Sequence, residues 1–201
     1  MVKAICFDLD GVYFTKKGME LFQETLVRLG ASREDVHTAL YTSPEVMSVK
    51  KGEMQGRDFV AYINSFLHIS LSKEEFMNYL SQGYEINSEI NDYVLLLRKK
   101  GYKTCICSNN YELRVNALDE KFGFLKDFDY KVFSYQTGYL KPDVLMFQEL
   151  VRTTRLRPQE IAYSDDNYEK LTGALALGIN TFVYQDFEQF CDELKKLGVR
   201  T

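Results

Sequence analysis

The chain has 201 residues, 45% of them hydrophobic and 27% charged, which suits one ordinary globular core with a modest insertion. Its net charge of −4 and its scattered basic doublets (Lys16-Lys17, Lys50-Lys51, Lys99-Lys100, Lys195-Lys196) leave no basic stripe for nucleic acid. No apolar run approaches the roughly 18 residues that span a bilayer, and the N-terminus enters a strand instead of a signal-peptide pattern, so a cytoplasmic protein with no membrane partner is expected.

Val2 to Phe7 is hydrophobic and partly β-branched, the pattern of a buried strand. Asp8 falls at its C-terminal end, Asp10 follows one residue later, and Gly11 lets the chain turn sharply. Ligands of open α/β sheets bind beyond the carboxyl ends of the strands. Two carboxylates crowded there repel each other unless a cation or a proton lies between them.

After Val12-Tyr13-Phe14 the pattern turns helical for about seventy residues. Leu21, Phe22, Thr25, Leu26 and Leu29 form an apolar stripe closed by Gly30. Ser32 with Asp35 and Ser72 with Glu75 read as capping boxes, and Ser43-Pro44 as an N-cap followed by proline at the first helical position. Phe59, Ile63, Phe66 and Leu67 make a second stripe. Residues 15–86 therefore read as an all-helical insertion into a domain made of residues 1–14 and 87–201.

That domain resumes with a helix from Ile90 to Lys100 and a strand at Lys103–Cys107. A helix from Tyr111, a strand at Tyr130–Phe133, and a helix from Asp143 follow. The strand Ile161–Tyr163, a helix through Gly173 and the strand Thr181–Val183 complete it. Strands alternating with helices of about a dozen residues imply right-handed βαβ units. The expected fold is α/β, a Rossmann-like three-layer core on a parallel sheet, with a helical cap over the strand ends that carry Asp8 and Asp10.

Three further polar groups fall at later strand ends. Ser108-Asn109-Asn110 is expected to open a helix, either as a phosphate site or as an ordinary N-cap. Lys141 precedes Pro142, the expected first residue of the next helix; it is either a surface lysine or a cation held by nearby anions, since alone it opposes the helix dipole. Asp165-Asp166 is either a solvated acidic turn or a hard-cation site, and oxygen-only donors favour Mg²⁺ over zinc. The only two histidines, His37 and His68, stand isolated, which argues against a zinc centre or a Ser-His-Asp triad. The four cysteines lack zinc-finger spacing; Cys6, Cys105 and Cys107 read as reduced packing thiols. An EF-hand at Asp8–Gly11 fails on spacing, because that loop needs a third ligand before its glycine and a Glu at its end.

Taken together, Phe7-Asp8-Leu9-Asp10-Gly11-Val12, Ser108-Asn109, Gly138-Tyr139-Leu140-Lys141-Pro142-Asp143, and Asp165-Asp166 with Gly173-Ala174 and Gly178 resemble the haloacid dehalogenase-like hydrolase superfamily. The resemblance covers essentially the whole chain. Gly52-Glu53-Met54 followed by Phe59 looks like the cap of its small phosphatase-like branch. The resemblance implies Asp8 as nucleophile, attacking phosphorus to form an aspartyl-phosphate, and Asp10 as acid and then base. It implies Mg²⁺ held by Asp8, the Asp10 backbone carbonyl and Asp166, with Asp165 orienting a metal-bound water. Ser108, the Asn109 amide and Lys141 would stabilise the phosphoryl oxygens, and Lys141 would keep Asp8 ionised. Val12 stands where many relatives carry Thr, Gln136 where an acid is frequent, and Lys170 where Asn is common. The implied reaction is hydrolysis of a small phosphorylated metabolite such as a sugar phosphate. Asp10 and Asp166 speak against a haloalkanoic acid dehalogenase, which lacks the metal and the second acid. A phosphomutase of the same fold and a catalytically idle phosphate-binding module are the remaining readings. Oligomeric state has no signature.

Overall fold

Five strands, β1 (Ala4–Phe7), β2 (Lys103–Ser108), β3 (Tyr130–Phe133), β4 (Ile161–Asp165) and β5 (Asn180–Val183), form one sheet in the order β3-β2-β1-β4-β5. Every neighbouring pair is parallel. The computed structural model describes residues 1–15 and 17–200, so Lys16 of the first basic doublet lies outside the described residues. Helices α1 (Lys17–Arg28), α2 (Arg33–His37), α3 (Pro44–Lys50), α4 (Gly56–Leu67) and α5 (Lys73–Gln82) lie between β1 and α6 (Ser88–Lys99). The remaining helices are α7 (Glu112–Phe122), α8 (Ser134–Thr137), α9 (Val144–Thr154), α10 (Tyr168–Ala176) and α11 (Phe187–Lys196).

The period-2 geometry of a strand sends alternate side chains to opposite faces, and β1 shows what that builds. Ile5 and Phe7 join one core with Val94 and Leu97 of α6, Val115 and Leu118 of α7, and Phe190 and Leu194 of α11. Ala4 and Cys6 join a second with Met146, Phe147 and Leu150 of α9 and Leu171 and Ala174 of α10. Helices therefore cover both faces of the sheet, the three-layer arrangement expected of an all-parallel sheet. Cys6, Cys105 and Cys107 are buried free thiols, as expected of packing residues.

The inserted helices bury a core of their own, formed by Phe22 and Leu26 of α1, Val46 and Val49 of α3, Phe59 and Ile63 of α4, and Phe76 and Leu80 of α5. Tyr111, Leu113 and Ala117, on and just before α7, pack into it and tie the helical cap to the sheet domain. The expected stripes are reproduced except at their ends: Leu29, 43% exposed, lies past the last residue of α1, and Phe66 is 37% exposed. Ser72 and Glu75 form the reciprocal capping box, and Ser43 caps α3 with Pro44 at its start. Ser32 accepts from the Asp35 N–H, but the Asp35 carboxylate takes the Ser32 hydroxyl instead of its backbone N–H. Aspartate is one methylene too short for the reciprocal bond made by glutamate.

The chain enters and leaves the insertion through a paired neck. Thr15 N–H donates to the Glu85 carbonyl at 3.0 Å and Asn87 N–H to the Tyr13 carbonyl at 2.9 Å, flanking an antiparallel bridge between Phe14 and Ile86. Two glycines are dictated by close approach. A Cβ on Gly52, which has φ +75°, would lie 2.1 Å from the Tyr135 carbonyl oxygen, and one on Gly173 would lie 2.0 Å from that of Pro142. A backbone oxygen cannot swing aside, so Gly173→Ala must push the Pro142 loop off α10. The expected cost is about 1–3 kcal/mol, a fall of roughly 3–10 °C in melting temperature for a chain of this size. Thermal denaturation followed by circular dichroism measures it; an unchanged midpoint would show that the loop is not seated there.

Candidate active site

The strand order reverses at β1, whose two neighbours are β2 on one side and β4 on the other, and crevices open at such switch points. Phe7 pairs in register with Ser164, so the next residues on each strand, Asp8 and Asp165, stand abreast at the carboxyl ends. The Asp8 N–H extends the ladder to the Ser164 carbonyl at 3.0 Å. Asp166 follows at once, and carboxylate oxygens of Asp8, Asp165 and Asp166 lie within 4.8 Å of one another. Three hard oxygen donors that close, with the repulsion among them, suit a divalent cation such as Mg²⁺. The sequence-predicted acids thus converge, although they are more than 150 positions apart in the chain.

Lys141 reaches into this cluster from the loop between α8 and α9. Its ammonium is fully buried, 3.0 Å from Asp8 Oδ1 and 2.6 Å from Asp165 Oδ2, and it also donates to the Cys107 carbonyl at 3.1 Å and the Tyr163 hydroxyl at 2.8 Å. Burial works against the charged amine, but Asp8 and Asp165 outweigh it and hold its pKa above the ordinary lysine range. Burial also pushes the Asp165 carboxyl up, yet Lys141 and then Lys170 bring it below the ordinary aspartate value. The surface-lysine alternative is excluded. Asn109 fixes the backbone at this point: its side chain accepts from the Lys141 N–H at 2.8 Å and donates to the Lys141 carbonyl at 3.0 Å.

Two local expectations need correction. Pro142 does not begin a helix; the Lys141–Pro142 peptide is cis, and Asp143 is the N-cap, its carboxylate accepting from the Leu145 N–H, so α9 starts at Val144. Ser108-Asn109-Asn110 does not open a helix either. Asn110 Oδ1 accepts from the Tyr111 N–H, Tyr111 is extended, and α7 begins at Glu112. Ser108 remains buried at the end of β2.

Asp10 sits on the rim of a cavity of about 450 Å³ between the inserted helices and the strand ends. Its carboxylate pairs with the Arg114 guanidinium and accepts from the Tyr84 hydroxyl at 3.2 Å. Met19, Leu40, Tyr41, Met47 and Lys50 line the cavity from the insertion; Asn109, Tyr111, Arg114, Lys141, Asp166 and Lys170 line it from the sheet domain. Lys170 lies 3.6 Å from Asp8 Oδ2 and 3.8 Å from Asp165 Oδ1. Sequence reasoning missed Tyr84, Arg114, Tyr163 and Lys50. Arg114, Tyr163 and Lys50 sit inside ordinary helix or strand patterns and Tyr84 in the connection between α5 and α6, so none carried a local signal. His37 and His68 lie on the insertion away from this cluster, and His68 terminates α4 in the left-handed region.

Removing either member of the Lys141 pairing separates its electrostatic and hydrogen-bonding parts. Lys141→Met leaves Asp8 and Asp165 facing each other with only the more distant Lys170 as counter-charge, an expected loss of about 3–5 kcal/mol. Tyr163→Phe removes only the hydroxyl that donates to Asp165 at 2.7 Å, worth about 1–2 kcal/mol. Urea denaturation of both variants checks the ranking, and equal losses would contradict it.

A family model described as haloacid dehalogenase-like hydrolase matches residues 2–178. D-ribitol-5-phosphate phosphatase of Bacteroides thetaiotaomicron is 24% identical over 96% of this chain and 97% of its own length. Bifunctional epoxide hydrolase 2 of Mus musculus is 23% identical over 98% of this chain, which spans 39% of that protein's length. Among solved structures, a HAD family enzyme of Bacteroides thetaiotaomicron, in complex with magnesium and inorganic phosphate, superposes with a TM-score of 0.83 at 20% identity, covering 94% of this chain and 99% of that one. A predicted HAD-like family hydrolase of Porphyromonas gingivalis gives 0.80 at 21% identity over the full length of both.

Proposed function

Because this chain belongs to the haloacid dehalogenase-like hydrolases, we propose that it is a Mg²⁺-dependent phosphatase acting on a small phosphorylated metabolite, with residues 15–86 as its cap. The observation that carries this reading is the acidic triad Asp8, Asp165 and Asp166, braced by buried Lys141 and facing a cavity large enough for a phosphorylated sugar. The phosphatase among its full-length relatives supports the same class. An idle binding module would lack one of these groups, and a dehalogenase would lack Asp10 and Asp166.

Asp8 attacks phosphorus in line; the bond from phosphorus to the leaving oxygen breaks while Asp10 protonates that oxygen. A water then attacks phosphorus, Asp10 takes its proton, and the acyl–phosphate bond breaks to give inorganic phosphate and free Asp8. Asp8, the Asp10 backbone carbonyl and Asp166 would hold the Mg²⁺, which would supply the charge that lets one anion approach another. Lys141 balances Asp8 and Asp165 and, with Ser108 and the Asn109 amide, faces the charge that develops on the phosphoryl oxygens. Asp165, already committed to Lys141, Tyr163 and the Asn167 N–H, acts by positioning Lys141. Arg114 and Tyr84 orient the Asp10 carboxylate.

Phosphate release from p-nitrophenyl phosphate is the direct test. Turnover should require a divalent cation, and Asp8→Asn should lower kcat by about 10⁴-fold or more, as removal of a nucleophile does elsewhere. Undiminished hydrolysis by Asp8→Asn, or in excess chelator, would refute the assignment.

A further inference from the structure

Three polar groups on the cavity wall have no partner among the described residues. The Tyr111 hydroxyl and the Arg114 Nε–H are buried without a hydrogen bond, and the Lys50 ammonium makes neither an ion pair nor a hydrogen bond there. Tyr111 is 3% and Arg114 5% exposed, and all three residues line the same cavity. Buried polar groups left without partners are rare, and each calls for a missing ligand, water or ion. Tyr111 and Arg114 are buried and Lys50 is half-buried; all three groups can donate. Two of the residues are cations brought together from different parts of the fold, Lys50 from the end of α3 in the cap and Arg114 from α7 beneath it.

Like charges converge at a cost that an anion between them removes. Asp10 pairs with Arg114, but among the described residues no acid pairs with Lys50. Asp8 and Asp165 are committed to Lys141, and Asp10 accepts from the far end of the Arg114 guanidinium and from Tyr84. Burial, the Arg114 charge and the Lys170 charge together bring the Lys50 amine down to about 8, with Asp10 opposing them only in part. The inserted helices add Met19, Leu40, Tyr41 and Met47 to the wall.

We infer that Lys50, Tyr111 and Arg114 form a second anion subsite, so that the substrate is a phosphomonoester whose leaving group carries an acidic group of its own. The inference rests on the phosphatase reading for the identity of the first anion. It names the chemical class of the leaving group, a carboxylate or a second phosphate. Lys50, supplied by the cap, is the specificity-determining cation.

Non-hydrolysable phosphonates separate this inference from catalysis. With Mg²⁺ present, calorimetry compares 4-phosphonobutyrate, butane-1,4-bisphosphonate and butylphosphonate, three compounds of one chain length ending in a carboxylate, a second phosphonate and a methyl group. At least one acidic compound should bind about tenfold or more tighter than butylphosphonate, as expected where buried donors otherwise go unpaired. Which of the two it is identifies the acid. Lys50→Met should bring the ratio close to one, and Lys50→Arg should retain it. Equal binding of all three by the wild type, binding of none, or an acid preference that survives in Lys50→Met would each overturn the subsite. An acid preference without phosphate release from any ester would sink the phosphatase reading and leave the subsite standing.

Discussion

One buried ammonium organises the end of this sheet. Lys141 has no access to solvent, a position that costs several kcal/mol unless charges and acceptors surround it. Asp8 from β1, Asp165 and Tyr163 from β4, and the Cys107 carbonyl from β2 supply those partners. Three strands thereby meet at one nitrogen, at the point where the sheet order reverses. The lysine is also placed by its backbone, clamped by Asn109 and by a loop that rests on Gly173 with no room for a Cβ. Position and charge are coupled: neither carboxylate can move without uncovering the amine.

The same arrangement sets what the site accepts. Three carboxylates in mutual reach, opposed by Lys141 and at longer range by Lys170, keep a residual negative charge. A divalent cation complements it. Further up the cavity the sign changes. The cap contributes Lys50 and apolar side chains but no acid to the wall. Under the proposed function, a substrate lying along this axis would meet a metal-binding floor and a cationic roof.

The fold and the catalytic floor were legible because they follow the chain's own periodicity. Apolar strands end in Asp8, Ser108 and Asp165, and strands alternating with helices leave few topologies. Lys141 was legible by position but not by environment, since nothing local to a Lys-Pro step says that it is buried among acids. The helix expected to open at Ser108-Asn109-Asn110 and the one expected to begin at Pro142 start later because polar side chains, Asn110 and Asp143, formed turns that delayed them. The roof was not legible at all. Tyr111 and Arg114 look like ordinary residues at the start of a helix, and Lys50 like half of a surface doublet. Their meaning comes from the packing of the cap on α7, which sequence periodicity does not encode. Tyr163 hides a hydroxyl within an apolar strand for the same reason.

The paired neck at Thr15–Glu85 and Tyr13–Asn87 has an architectural consequence. Departure and return of the polypeptide lie side by side, so the sheet experiences the whole helical lobe as if it were one short hairpin. A lobe of different size or shape could be grafted onto the same two stems without disturbing strand register, since closing a longer excursion between fixed, adjacent ends adds little entropy cost. The acidic floor and its roof can therefore diversify at different tempos: the first constrained by a shared nitrogen, the second exchangeable as a cassette.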